Sequence, residues 1–136
     1  GDKFLFHTYG ANPTSCAAGR AVLEVLREDR LQENALKVGN SLLAGLRDLQ
    51  QRYQVVGDVR GRGLMLAIEL VRDRKTREPD ADTTAAVFEA CREHGLILSK
   101  SGPYRSVLRM VPPLCLSRGD VDSVISGLDA AFRSME

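Results

Sequence analysis

The sequence predicts a layered α/β (α+β) fold: a small sheet of about four strands with helices packed on it. Three observations carry this. Apolar residues recur at helical spacing in four segments, and between them the pattern shifts to short apolar runs of strand length bounded by glycine and proline. No internal repeat or low-complexity stretch interrupts the order helix, helix, strand, strand, helix, strand, strand, helix.

The first helix starts at Asn12, whose side chain suits an N-cap, with Pro13 in the first helical position where its missing N–H is no loss. Ala18, Ala21, Val22, Val25 and Leu26 continue the pattern to about Glu28. A second helix is expected over residues 31–53, with Leu36, Leu42, Leu43, Leu46 and Leu49 on or near one stripe. Gly39 and Gly45 should weaken it modestly.

"VVGDVRGRGLMLAIEL" then reads as two strands around a bend at Gly61 and Gly63. The charged, proline-containing "VRDRKTREPDAD" reads as a solvated loop. A third helix over residues 82–94 ends at Gly95, which can leave a helix in the left-handed conformation. "LILS" is a short strand, "KSGPYRS" a turn, and "VLRMV" a strand stopped by Pro112 and Pro113. The last helix begins near Ser117, whose spacing to Asp120 resembles a capping box with Asp in place of Glu, and runs to about Ser134.

Composition narrows the classes of function. With 136 residues, 43% hydrophobic and 27% charged, the chain can bury a core. Nineteen basic residues against eighteen acidic ones leave a net charge of +1, so no overall field draws in nucleic acid or an anionic membrane. No apolar run approaches the roughly 20 residues needed to span a bilayer. The opening "GDKFLFHTYG" lacks the apolar core of a signal peptide, so a cytoplasmic protein is expected. Phe4 and Phe6 sit in an extended apolar opening with no capping signal before it, which points to a segment of something longer. Cys16, Cys91 and Cys115 are widely spaced among apolar or small neighbours and are expected to be buried, reduced thiols. His7 and His94 stand at no ligand spacing to a cysteine, so no metal is expected.

Two residues stand out as candidates for chemistry. Thr8 lies in "HTYGANPT", just before a helix N-terminus, where unpaired amides and the positive end of the dipole favour an anion such as phosphate. The same loop also reads as nothing more than a helix start. Arg109, in "SVLRMVPP", shares a strand face with Val107 and Val111, while Leu108 and Met110 point the other way. A guanidinium in an apolar segment calls for a carboxylate partner, either an internal acid or a ligand. "GDVRGRGL" lacks the endings of a phosphate loop and opens no helix, so it reads as a bend. Two histidines without an elbow motif make no catalytic triad, and Glu89 with Glu93 reads as an exposed helix face.

Three stretches in series, "HTYGANPTSCAAGRAVLEVL", "VGDVRGRGLMLAIELV" and "VLRMVPPLCLS", resemble the C-terminal part of class III aminotransferases, fold type I enzymes that use pyridoxal phosphate. The resemblance spans nearly the whole chain. It implies that residues 1–30 form an interdomain loop and linking helix, and residues 31–136 the C-terminal small domain. Thr8 would reach the phosphate of pyridoxal phosphate in a neighbouring subunit, and Arg109 would grip the substrate's carboxylate. Ala11 stands where the family more often has glycine, and "MVPP" where it has "IAPP".

The resemblance further implies that the lysine carrying the cofactor, the aspartate at its ring nitrogen and the stacking aromatic precede Gly1. Lys3 lies too close to Thr8 to be that lysine. These residues would then include none that is catalytic, and alone they would not turn over substrate. The intact enzyme would be a homodimer or tetramer passing an amino group from an amine or ω-amino acid donor to an oxo acid acceptor. "GDVRGRGL", "RDRKTREP" and "LRMVPPL" also resemble dialkylglycine decarboxylases, a second reaction on the same fold. A binding or assembly module on this fold is the alternative from outside enzymology.

Overall fold

The computed structural model describes residues 7, 8, 10 and 12–135. Lys3, Phe4, Phe6 and Ala11 lie outside the described residues. The chain divides into two compact units, Gly1–Gln32 and Glu33–Glu136.

In the first unit, α1 spans Pro13–Glu28, with Pro13 at its start and the Asn12 side chain accepting from the Ser15 N–H at 3.1 Å. None of its residues is buried, and Val22, Leu23 and Val25 are exposed by 59%, 68% and 48%. The apolar stripe read from the sequence is present and uncovered.

Helix α2 spans Leu31–Arg52 and buries Val38, Leu42, Leu46 and Leu49. Leu36, expected on that stripe, is exposed. Gly39 and Gly45 are points of contact rather than weak points: a Cβ on Gly39 would lie 2.1 Å from the Gly63 carbonyl oxygen, and one on Gly45 2.7 Å from the Ile125 side chain. Helix and hairpin approach this closely because both residues at the crossing lack side chains.

Strand β1 (Val56–Arg62) turns through Gly63, φ +55°, into β2 (Met65–Asp73), and the two pair antiparallel. The segment expected to be a solvated loop is ordered. β2 runs on to Asp73, the Asp73 carboxylate accepts the Lys75 and Thr76 N–H groups at 2.7 and 2.8 Å, and β3 (Glu78–Pro79) pairs back onto β2. Charge in this segment hid a hairpin whose turn is closed by an aspartate. Arg74 donates to the carbonyls of Tyr53 (2.8 Å), Gln54 (3.1 Å) and Gln50, occupying acceptors at the end of α2.

Asp80 caps α3 (Ala81–Glu93) through the Thr83 N–H at 3.0 Å, and Gly95, φ +75°, leads the chain away. Residues 96–98 are not a strand; β4 is Ser99–Ser101, displaced toward what read as a turn. Leu96 and Leu98 instead pack against the core. β5 (Val107–Met110) pairs with both β2 and β4, giving the antiparallel order β1-β2-β5-β4. Helix α4 (Arg118–Arg133) begins at Ser117, where the Asp120 carboxylate accepts the Ser117 N–H (2.9 Å) and hydroxyl (2.7 Å).

One face of the sheet, through Leu66, Ile68, Leu70 and Leu108, joins the apolar faces of α2, α3 and α4 in a single core. Full burial of each such side chain contributes roughly 1.5–3 kcal/mol. The opposite face carries Asp58, Arg60, Ala67, Glu69, Arg109 and Ser99, none of them buried. Among the described residues, no helix is long and apolar enough to cross a membrane. Cys91 is buried as expected, and burial pushes its thiol pKa up to about 11. Cys16 and Cys115 are exposed, against expectation, because α1 buries nothing and Cys115 lies in the connection between β5 and α4.

Candidate functional site

Thr8 belongs to the first unit and Arg109 to the second. Thr8 is exposed in a turn four residues before the N-cap, and its hydroxyl has no partner among the described residues. The helix that follows offers an anion less than the sequence promised. Pro13 has no N–H, Ser15 N–H goes to the Asn12 side chain and Cys16 N–H to the Asn12 carbonyl at 3.0 Å. Among the described residues the first turn keeps one free amide, that of Thr14, and the Thr8 hydroxyl adds a side-chain donor before it.

Arg109 stands in β5, paired opposite Ala67 on one side and Ser99 on the other. Leu108 and Met110 enter the core, as alternation requires, and Arg109 points to the exposed face. Of the two partners the sequence left open, the internal one is missing: among the described residues no carboxylate pairs with Arg109. Beside it opens a cleft of about 410 Å³ whose walls include Leu98, Val111, Pro112 and Pro113. Among the described residues, Arg109 is the only charged one lining it. Asn34 in α2 fixes the connection beyond that wall by donating to the Leu114 and Leu116 carbonyls at 2.8 and 3.0 Å.

A second guanidinium lies two strands away in the same lateral row. Arg60 pairs opposite Ala67, and its Nη1 donates to Asp58 and Glu69, both at 2.6 Å. The hydrogen bond to Asp58 first, then the one to Glu69, raises the Arg60 pKa further. Sequence reasoning passed over this cluster. The signal was there: a turn at Gly63 and Leu64 pairs Arg62 with Met65, and counting back sets Asp58 opposite Glu69.

The profile of the aminotransferase class-III family matches residues 5–132. A mitochondrial alanine–glyoxylate aminotransferase 2 homolog of Arabidopsis thaliana is 41% identical over 98% of this chain and 28% of its own length. An ethanolamine-phosphate phospho-lyase homolog of Caenorhabditis elegans is 38% identical over 99% of this chain and 29% of its own.

Among solved structures, an amine transaminase from an uncultivated Pseudomonas species, with pyridoxal phosphate bound, superposes with a TM-score of 0.88 at 38% identity, over 98% of this chain and 30% of that one. A phospholyase from Arthrobacter, in complex with phosphoethanolamine, gives 0.90 at 34% identity, over 98% of this chain and 32% of that one. The chain thus spans under a third of the length of these relatives. By sequence along nearly its whole length and by fold, it belongs to the class III aminotransferases.

Proposed function

We propose that this chain is the C-terminal portion of a pyridoxal-phosphate-dependent aminotransferase that passes an amino group from an amine or ω-amino acid to an oxo acid. The observation that carries this reading is the open guanidinium of Arg109, without a carboxylate partner among the described residues, in a chain matched to the family over residues 5–132. The donors on the chain suit two anions. The Thr8 hydroxyl fits a cofactor phosphate, and Arg109 fits a substrate carboxylate in bidentate geometry.

In this reading Thr8 donates to the phosphate of the cofactor held by a neighbouring subunit, so the working enzyme is a homodimer or a larger assembly. Arg109 orients the substrate by its carboxylate. The adjoining cleft, walled by Leu98, Val111, Pro112 and Pro113, offers room for the apolar part of such a substrate. Pyridoxal phosphate, when bound, supplies an electron sink for charge developing on the substrate. The exposed Val22, Leu23 and Val25 of α1 are surface that the rest of such an enzyme would cover.

The test is amino transfer by the full-length enzyme, with an amine donor and an oxo acid acceptor, before and after Arg109→Ala. Loss of Arg109 should raise the KM for carboxylate substrates by at least about tenfold. Transfer without that change would remove Arg109 from the site. The phospholyase relatives favour a second reading, elimination of phosphate from an amino alcohol phosphate. Release of inorganic phosphate from phosphoethanolamine, without amino transfer, would establish it in place of the first.

A further inference from the structure

Arg109 is surrounded on the uncovered sheet face by Met65, Ala67 and Glu69 of β2 and by Ser99 and Ser101 of β4. Among the described residues, Glu69 is the only acid in this ring. It pairs opposite Val107, two residues before Arg109, and so takes the diagonal position from which long side chains on adjacent strands meet, with a separation of about 7 Å. On its other side Glu69 stands in the same diagonal relation to Arg60, which pairs opposite Ala67. The ladder therefore sets two arginines diagonal to the carboxylate, one on each neighbouring strand. The carboxylate is bound to one of them: Arg60 Nη1 meets Glu69 Oε2 at 2.6 Å, and no ion pair joins Glu69 to Arg109. Asp58, also 2.6 Å from Arg60 Nη1, anchors the guanidinium from the β1 side.

We propose that Arg60 is a positioning residue for the Arg109 anion site: by holding Glu69 on the β1 side, it prevents the one neighbouring carboxylate from neutralising Arg109 and occupying the place of a substrate carboxylate. This rests on the reading of Arg109 as a carboxylate anchor. The pairs themselves are half exposed and add little to stability. Their consequence is for occupancy, because an internal carboxylate beside Arg109 acts at a high local concentration that a free substrate must displace. Ala67, between the two arginines, has only a methyl side chain, and Val107, directly opposite Glu69, carries no charge, so Arg60 is the cation that holds Glu69 on the β1 side.

The experiment is a double-mutant cycle in the full-length enzyme. Arg60→Gln should raise the KM for a carboxylate substrate by about tenfold, in line with a competing charged hydrogen bond, with kcat little changed. The KM for an amine donor without a carboxylate should not move. Arg60→Gln with Glu69→Gln should restore the original KM, and Arg60→Lys, which keeps a cation for Glu69, should remain near it. A crystal structure of the Arg60→Gln variant supplies a readout independent of turnover: Glu69 should lie within 4 Å of the Arg109 guanidinium, the separation of an ion pair.

No rescue by Glu69→Gln, an equal effect on the carboxylate-free amine, or Glu69 remaining away from Arg109 in that crystal structure would each overturn the inference. Arg109→Ala separates the two levels of argument. If it leaves carboxylate KM unchanged, the anchor reading itself fails; if it raises KM while Arg60→Gln does not, the role of Arg60 alone fails.

Discussion

The side-chain amide of Asn34 donates to the main-chain carbonyl of Leu114, 80 residues further along, at 2.8 Å. A second bond to Leu116 at 3.0 Å makes the clamp two-pronged, and it holds the connection between β5 and α4 against α2. Asn34→Ala would leave both carbonyls to water, lowering stability by about 1–2 kcal/mol. Amide exchange at Leu116, whose N–H bonds the Pro113 carbonyl at 3.0 Å, should accelerate. Unchanged exchange there would mean that the prolines alone order the connection.

Two Gly→Ala changes should have opposite signs. At Gly39 the added methyl meets the Gly63 carbonyl, and overpacking of this kind costs about 1–3 kcal/mol, more than the roughly 1 kcal/mol that alanine gains in a helix. At Gly19 in α1 nothing lies within 4 Å, so the helical preference should act alone and stabilise slightly. Thermal or urea unfolding of the two variants checks the pair.

The Tyr53 hydroxyl donates to Asp129 at 2.6 Å, and this bond should shape both ends of the pH–stability curve. Burial pushes the Asp129 pKa up, but the hydrogen bond from Tyr53 and the charges of Arg52 and Arg133 outweigh it, and the value falls below normal. Its contribution is therefore complete above the unfolded value of about 3.9 and is lost as pH falls through the lower folded value. Tyr53 is raised, first by burial and then by its bond to Asp129. Its contribution is complete below about pH 10 and is lost as pH rises through the higher folded value. Asp129→Asn should flatten the acid limb and Tyr53→Phe the alkaline one in urea titrations across pH.

Alkylation should divide the three thiols. Cys16 and Cys115 are exposed and should react with iodoacetamide in the folded chain near pH 8. Cys91, buried and with its pKa near 11, should react only on unfolding. Mass spectrometry of peptides after a short pulse reads this directly, and early labelling of Cys91 would contradict the packing of α3.

Much of this architecture is legible from local chemistry. Asn12 with Pro13, Gly95, and Ser117 with Asp120 each act within one helical turn, and each marks the helix boundary it implied. Arg109 was visible for the same reason, because alternation alone sets a charge among Leu108 and Met110. What escaped depends on partners distant in sequence. Gly39 reads as a flaw until Gly63 is brought against it, and Arg60 is an ordinary strand cation until the hairpin register delivers Glu69. Leu36 shows the converse error, since a leucine at the right spacing stays exposed when no element covers its part of the helix. The exposed cysteines were misjudged for want of that same knowledge of what packs where.

The two ends of the sheet bear on how the protein behaves in concentrated solution. β4 is three residues long and is followed, after β5, by Pro112 and Pro113, while Lys100 lies 4.7 Å above the Phe88 ring. β1 at the other margin carries a bulge between Val56 and Asp58 and is studded with Asp58, Arg60 and Arg62. Short length, a border lysine and alternating charge are the features that deny a foreign strand a template for hydrogen bonding. The molecule is thereby guarded against growing sideways into fibrils, a hazard that a bare antiparallel sheet invites.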